Sequence, residues 1–205
     1  MRRIVNLLII MLLPLTLLAQ TASPSANEIL RQFLSKIDAK TLTSSFVLTV
    51  TDDSGAPISY KGKLQMRGEK FSLSMLGNEG AFDGKTYYLY SEETDELTLS
   101  TPTPEEIWQA NPILFARELQ KESRVRFAAA NKDPKLYVIE LIPNADGASG
   151  RKVTVKIRKA DWIPLEVTER EGARTTIVSF TDAAYSAEIP SFVISKPNAF
   201  INDLR

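Results

Sequence analysis

The feature that most constrains the fold is a series of short segments in which apolar and polar residues alternate. Phe46, Leu48 and Val50 alternate with small or polar residues, and the pattern resumes at Ile58. A period of two is that of a β-strand with one buried face. About eleven such segments occur, at 46–50, 58–66, 71–75, 87–90, 97–99, 125–127, 136–141, 153–157, 165–167, 177–178 and 192–194.

Two segments have helical character, of which the first precedes the strands and the second interrupts them. "SANEILRQFLSKI" places Ile29, Phe33 and Ile37 at a spacing of four, with Ser25 or Asn27 as the candidate N-cap. Residues 101–123 contain Pro104 and Pro112, each at a position typical of a first helical turn.

The predicted class is therefore mainly β (α+β), an open antiparallel half-barrel of about eleven strands with a helical lid. The residues alone leave open whether the interior under the lid is a hydrophobic cavity or a solid core.

Composition argues against several functions. The chain has 25 basic and 25 acidic residues, and it contains no His and no Cys. A chain without excess positive charge is a poor nucleic-acid binder, and the missing residue types exclude a His-based triad, a thiol nucleophile and an ordinary zinc site. The acidic residues cluster at turns, and Glu140 alone is flanked by apolar residues within a strand pattern. We therefore expect no enzyme activity.

The first 19 residues have the layout of a secretory signal peptide. Arg2 and Arg3 precede an apolar run that reaches about Leu18, and Ala19 follows as a small residue. The run is short for a membrane-spanning helix, and Pro14 interrupts it. The sequence predicts export with cleavage, followed by a single domain at 20–205 with a formal charge of −2, since cleavage removes two of 25 basic residues and no acid.

The segment "LQMRGEKFSL" at 64–73 reads as a tight hairpin. A two-residue turn at Gly68 and Glu69 would pair Met66 with Phe71 and place Arg67 on the opposite, polar face. A bulge or a wider turn would instead bring Arg67 inward. Both orientations remain open from the residues.

Three stretches give the chain a resemblance to a known family: "SFVLTVTDDSGAPISYKGKLQMRGEKFSL", "DGKTYYLY" and "NPILFAREL". In this order and spacing they resemble the periplasmic outer-membrane lipoprotein carrier proteins of the LolA type. The resemblance implies an open β-barrel with a helical lid around a hydrophobic cavity, without catalysis or cofactor. It implies a periplasmic chaperone, expected to be monomeric, that binds the acyl chains of lipoproteins. Its implied partners are an inner-membrane ABC transporter, which donates the lipoproteins, and an outer-membrane acceptor.

The resemblance also implies functional residues. Arg67 matches the family's arginine that holds the lid shut through lid carbonyls, although Gly68 stands where the family has proline and Leu73 where tryptophan is common. The predicted lining of the lipid-binding cavity comprises Ile29, Phe33, Ile37, Phe46, Leu48, Leu64, Met66, Phe71, Leu73, Ile113, Leu114 and Phe115.

A second function is compatible with the same pattern. Similar half-barrels serve as the ligand domains of periplasmic stress regulators, so the chain could be a lipid-sensing or lipoprotein-sensing module without a transport role. Such regulators usually carry a second domain, and the chain ends soon after its last strand pattern, so the carrier is the favoured interpretation.

Overall fold

The computed structural model describes residues 23–53, 55–144 and 150–205, which form one large sheet and three helices. The predicted signal peptide lies outside the described residues. The helices are α1 (Ala26–Ala39), α2 (Pro104–Ala110) and α3 (Pro112–Glu122). The strands are β1 (Thr41–Thr51), β2 (Ile58–Arg67), β3 (Lys70–Met75), β4 (Asn78–Phe82), β5 (Tyr87–Ser91), β6 (Glu96–Ser100), β7 (Ser123–Phe127), β8 (Leu136–Pro143), β9 (Lys152–Arg158), β10 (Pro164–Glu171), β11 (Arg174–Ser186) and β12 (Phe200–Asp203).

The described strands form a single open sheet, which confirms the predicted class. Its order is β12-β6-β5-β4-β3-β2-β1-β11-β10-β9-β8-β7, so β12 and β7 are the two free edges. Neighbouring strands are antiparallel except for β12, which runs parallel to β6. Helices α1 and α3 pack on one face of this sheet, which we call the inner face, and the opposite face is the outer face.

Two details of the strand prediction are wrong. The pattern around Phe192 and Ile194 forms no strand; it belongs to a connection at 187–199 between β11 and β12. We call this connection the strap. Ile194 and Ala199 pack on the outer face against a small cluster that includes Ala81, Tyr88 and Leu97. The sequence pattern also missed β4 and β12, so the described sheet has twelve strands rather than about eleven.

Helix α1 follows directly from the sequence. Ser25 is the N-cap, and it forms a capping box in which its side chain accepts from the Glu28 amide and the Glu28 carboxylate accepts from the Ser25 amide. The apolar stripe of the helix, including Ile29, Phe33 and Ile37, is buried at 0–1 % exposure. The helix thus fills its part of the inner face with solid core.

Glycines on the inner face make room for aromatic rings. Gly62 on β2 is the cross-strand partner of Phe46 on β1. A Cβ built at Gly62 would lie 2.6 Å from the Ser74 carbonyl oxygen and 2.7 Å from Cε1 of Phe46. The ring of Phe46 can therefore lie across β2 only because residue 62 has no side chain.

We predict that Gly62→Ala costs about 1–3 kcal/mol of the free energy of unfolding, because both the ring and a backbone carbonyl must move. Urea unfolding measures this loss. Gly80→Ala is the matched control, since its Cβ would meet the Tyr87 hydroxyl at 2.9 Å, the far end of a side chain that can move. Equal losses in the two variants would contradict this account of the packing.

Candidate functional site

The main candidate site is an apolar groove of about 510 Å³ on the inner face, beside the α2–α3 helical pair. Its floor comes from the central strands β1, β2, β3, β10 and β11, and one wall comes from the helices. The lining residues are Phe46, Leu48, Val50, Leu64, Leu73, Met75, Gln109, Ala110, Pro112, Phe115, Arg151, Val167, Glu169, Glu171, Arg174, Thr176, Val178 and Phe180.

Strand alternation and register make the floor apolar. Phe46 pairs with Phe180 across β1 and β11, and Leu48 pairs with Val178. Leu64 pairs with Leu73 across β2 and β3. Because residues at every second position share a face, these pairs form a continuous apolar surface. No side chain of the described residues fills the groove above it.

The bend between α2 and α3 is anchored by one buried asparagine. Asn111 is the N-cap of α3, and its Oδ1 accepts hydrogen bonds from the amides of Ile113 (2.9 Å) and Leu114 (3.4 Å). Its Nδ2 lies 3.8 Å from Sδ of Met66 on β2. The side chain thus satisfies amides at the start of the helix and fixes the bend against the sheet.

Polar contacts join α3 to α1. Arg117 on α3 pairs with Asp38 on α1 at 2.6 Å, and Nε2 of Gln120 donates to Oδ1 of Asn27 at 2.6 Å. Neither contact was predicted from the sequence, because nothing in the spacing of these residues indicates that the two helices meet. These contacts, rather than Arg67, hold α3 in place beside the groove.

Arg67 lies on the outer face, away from the helical pair. The hairpin has the two-residue turn at Gly68 and Glu69, and the predicted pairs Met66–Phe71 and Leu64–Leu73 are confirmed. Nη1 of Arg67 donates to the carbonyl of Ala187, the first residue of the strap, at 3.2 Å. The lid-latch prediction requires a contact with backbone carbonyls of the predicted lid, which comprises the N-terminal helix and residues 113–115, and Arg67 donates to Ala187 in the strap instead. The physical reason is the regular turn, which keeps the alternation of faces intact.

The predicted cavity residues divide into two groups. Phe46, Leu48, Leu64, Leu73 and Phe115 line the groove. The others do not line the groove and are core residues at most 2 % exposed: Ile29, Phe33, Ile37, Met66, Phe71, Ile113 and Leu114. Lining a groove and filling a core require the same residue types, so the sequence could not separate them.

The open end of the groove is charged, which was not predicted from the sequence. Arg151 pairs with Glu169 on β10 at 2.8 Å, and its guanidinium lies 4.7 Å from the ring centre of Phe115 on α3. This stack joins the helix to the sheet through a cation–π contact. Glu171 and Arg174 lie beyond it at the β10–β11 turn and are exposed.

The remaining acid singled out by the sequence is a structural ion-pair partner. Glu140 contacts Arg126 at 2.9 Å and Lys152 at 3.0 Å. Burial raises the pKa of Glu140, but hydrogen bonds from Lys152 and Arg126 outweigh that effect, so its pKa lies below the ordinary value. The side chain is thus held as a carboxylate, which is the wrong form for a general acid.

The described residues contain neither a metal-binding cluster nor a membrane-spanning helix. No three side chains among their Asp and Glu residues come together as a metal site would need. None of their helices combines the length and the apolar character that crossing a membrane requires.

Comparison with known proteins places the fold. No family model matches the chain, and no curated protein does. Among solved structures, an uncharacterized conserved protein from Thermus thermophilus is 12% identical, with a TM-score of 0.59 over 87% of this chain and 98% of that one. A LolA superfamily protein from Nitrosomonas europaea is 10% identical, with a TM-score of 0.42 over 82% of this chain and 96% of that one. The chain also matches the Pseudomonas aeruginosa MucA/MucB complex at 13% identity and a TM-score of 0.49, covering 81% of this chain and 58% of that one.

The matched structures include a LolA superfamily protein, the type of protein that the sequence resembles. At these identities the likeness concerns the fold.

We predict that Arg67→Met and Arg117→Met loosen different parts of the molecule. Loss of the Arg67 bond should speed amide hydrogen exchange in the strap, and loss of the Arg117–Asp38 pair should speed it in α3. Each substitution should cost at most about 1 kcal/mol, because the contacts are partly exposed. Mass spectrometry of exchanged peptides distinguishes the two regions, and each variant is the control for the other. Faster exchange in α3 of the Arg67 variant would restore the latch prediction.

Proposed function

We propose that this chain binds lipid acyl chains in the inner-face groove and carries lipoproteins from the inner to the outer membrane. The observation that supports the proposal is an apolar groove of about 510 Å³ left open on a folded inner face. Apolar surface that contacts water instead of other apolar groups is unfavourable, so we expect an apolar ligand to occupy the groove. Pockets of roughly 300–1,000 Å³ are typical for small-molecule ligands.

The chemistry of an acyl chain fits this groove. Each CH₂ removed from water contributes about 0.8 kcal/mol, and the floor offers aliphatic and aromatic side chains along several strands. The groove has one open end, so a bound lipid can leave without unfolding of the sheet.

The finer elements of the proposal come from the family resemblance in the sequence. They are a periplasmic location after export, donation by an inner-membrane ABC transporter, and delivery to an outer-membrane acceptor. In this role the chain acts as a monomer without catalysis. The helical pair is the element that would adjust to the size of the cargo, because Pro112 and Phe115 of the pair form a wall of the groove.

A release assay tests the carrier role. Spheroplasts that synthesise a labelled lipoprotein are incubated with the purified exported form, and the soluble fraction is examined for a one-to-one complex. Release by the wild type would support transport. If the protein binds acyl ligands but releases no lipoprotein, the sensing module without transport replaces the carrier. If it binds no acyl ligand, the groove has another role and the proposal fails.

We predict that Phe115→Glu lowers acyl-ligand affinity at least tenfold, because a carboxylate would enter an apolar wall. Phe115 is only partly buried, so the melting temperature should fall by no more than about 4 °C. Titration calorimetry with palmitate and a thermal melt give the two readouts.

Phe127→Glu is the matched control, since Phe127 is 44 % exposed on edge strand β7 and does not line the groove. It should leave affinity unchanged. A large stability loss in Phe115→Glu with unchanged affinity would show that Phe115 is an ordinary core residue.

A further inference from the structure

The groove has a closed end and an open end. At one end the lining residues are buried, with Leu64 at 3 % and Phe180 at 6 % exposure. Along β11 the residues that line the groove become progressively more exposed, from buried Phe180 and Val178 through half-buried Thr176 to exposed Arg174. A ligand with one apolar and one polar end therefore fits the groove in one orientation, with its apolar end at the closed end and its polar end at the open end.

The length of the groove fits one acyl chain. Phe180 and Arg174 are six residues apart on β11, and a strand rises about 3.3 Å per residue, so the groove runs for roughly 20 Å. An acyl chain in a bilayer spans about half of the ~30 Å hydrocarbon thickness. One chain and its first polar group therefore match the distance from Phe180 to the open end.

The volume leads to the same number of chains. A protein cavity of about 150 Å³ is known to hold one benzene, which has six carbon atoms. On that scale the 510 Å³ groove holds roughly 20 carbon atoms. That is enough for one long acyl chain and too little for two.

Resting on the proposed function, we infer that the groove holds a single acyl chain, with its methyl end near Phe46 and Phe180 and its carbonyl group at the Glu171–Arg174 end. With α2 and α3 placed as they are in the structure, a lipid with several acyl chains inserts one chain into the groove. Its other chains stay outside the groove unless α2 and α3 move.

The side chains at the open end set the class of polar group. Within the described part of the chain, the guanidinium of Arg174 has no hydrogen-bond or ion-pair partner, so its five N–H donors can meet carbonyl or carboxylate oxygens. Arg151 is already held by Glu169 and Phe115. Since Glu169 and Glu171 also lie at this end, a headgroup with several negative charges is disfavoured. The site therefore suits an acyl carbonyl, supplied either by a free fatty acid or by an acylated peptide.

Photo-crosslinking tests the orientation in the wild-type protein. One palmitate probe carries a diazirine near its methyl end, and a second carries it near the carboxyl group. We expect the first probe to label peptides that contain Leu64 or Phe180, and the second to label residues 169–176. Reversed labelling, or the same labelling by both probes, would overturn the inference.

Native mass spectrometry tests the number of chains. Palmitate, an N-palmitoyl peptide and diacyl phosphatidylglycerol are compared, and binding of one palmitate or one N-palmitoyl peptide is expected. Preference between these two identifies the source of the carbonyl group. Binding of two palmitates in one groove would overturn the single-chain assignment. It would also be overturned if only the diacyl lipid bound, with both of its chains protected from solvent.

The Arg174→Gln variant tests the polar end. It should weaken palmitate binding about 3- to 10-fold, which is modest because the site is exposed to solvent. Arg170→Gln is the matched control, since Arg170 is exposed on the opposite face of β10 and should leave binding unchanged. Equal effects of the two substitutions would overturn the role of Arg174.

The outcomes separate the proposed function from the single-chain inference. If the wild type binds none of the three ligands, the proposed function fails together with this inference. If it binds acyl ligands in the wrong number or orientation, the proposed function stands and only this inference fails.

Discussion

The structure depends on a mismatch between a wide sheet and short helices. Twelve described strands at about 4.8 Å spacing make a sheet roughly 50 Å across, whereas a helix with its side chains is about 10–12 Å wide. Helix α1 has 14 residues and is therefore about 21 Å long. It packs against β1, β2, β7 and β8, and α3 packs against β7 and β8. Part of the apolar surface of β1, β2, β3, β10 and β11 stays unfilled beside the helical pair, and this surface is the groove.

The core beneath α1 and the groove contain the same types of apolar residue, but these residues have different roles. Against α1, side chains such as Phe33 and Leu42 are excluded from water and contribute to folding. In the groove, Leu48 and Phe115 are only partly buried and pack against that core from one side. Stability and binding thus come from neighbouring regions of one continuous face, so a substitution in the groove can affect ligands with little effect on the fold.

Much of the fold could be predicted because it depends on local patterns. The period of two at Phe46–Val50, the tight turn at Gly68 and the capping residue Ser25 each determine structure through neighbours in sequence. The short strand β12 could not be predicted, because four residues that pair with β6 across a long connection leave little local signal. The strand expected at Phe192 fails for a related reason: apolar residues there pack onto the outer face without joining the sheet's ladder of hydrogen bonds.

The candidate site was less predictable than the fold. Five of the predicted lining residues reach the groove, but the pattern could not tell them from core residues such as Ile37, whose burial depends on where α1 lies. The contacts of Arg117 with Asp38 and of Arg151 with Phe115 join distant parts of the chain, so no spacing reveals them. Arg67 lies on the outer face because the regular hairpin preserves the alternation of faces along β2. The role that the family resemblance implies for this arginine would require the inner face.

The most direct test of the central claim is a methyl NMR titration of the protein with palmitate, with Ile, Leu, Val and Met methyl groups labelled. The account predicts shifts at groove residues such as Leu48, Leu73 and Met75, while Ile29 and Ile37 in the core beneath α1 stay unchanged. Shifts centred on the α1 core, or no shifts at saturating ligand, would contradict the claim that the open part of the inner face is a binding site for acyl chains.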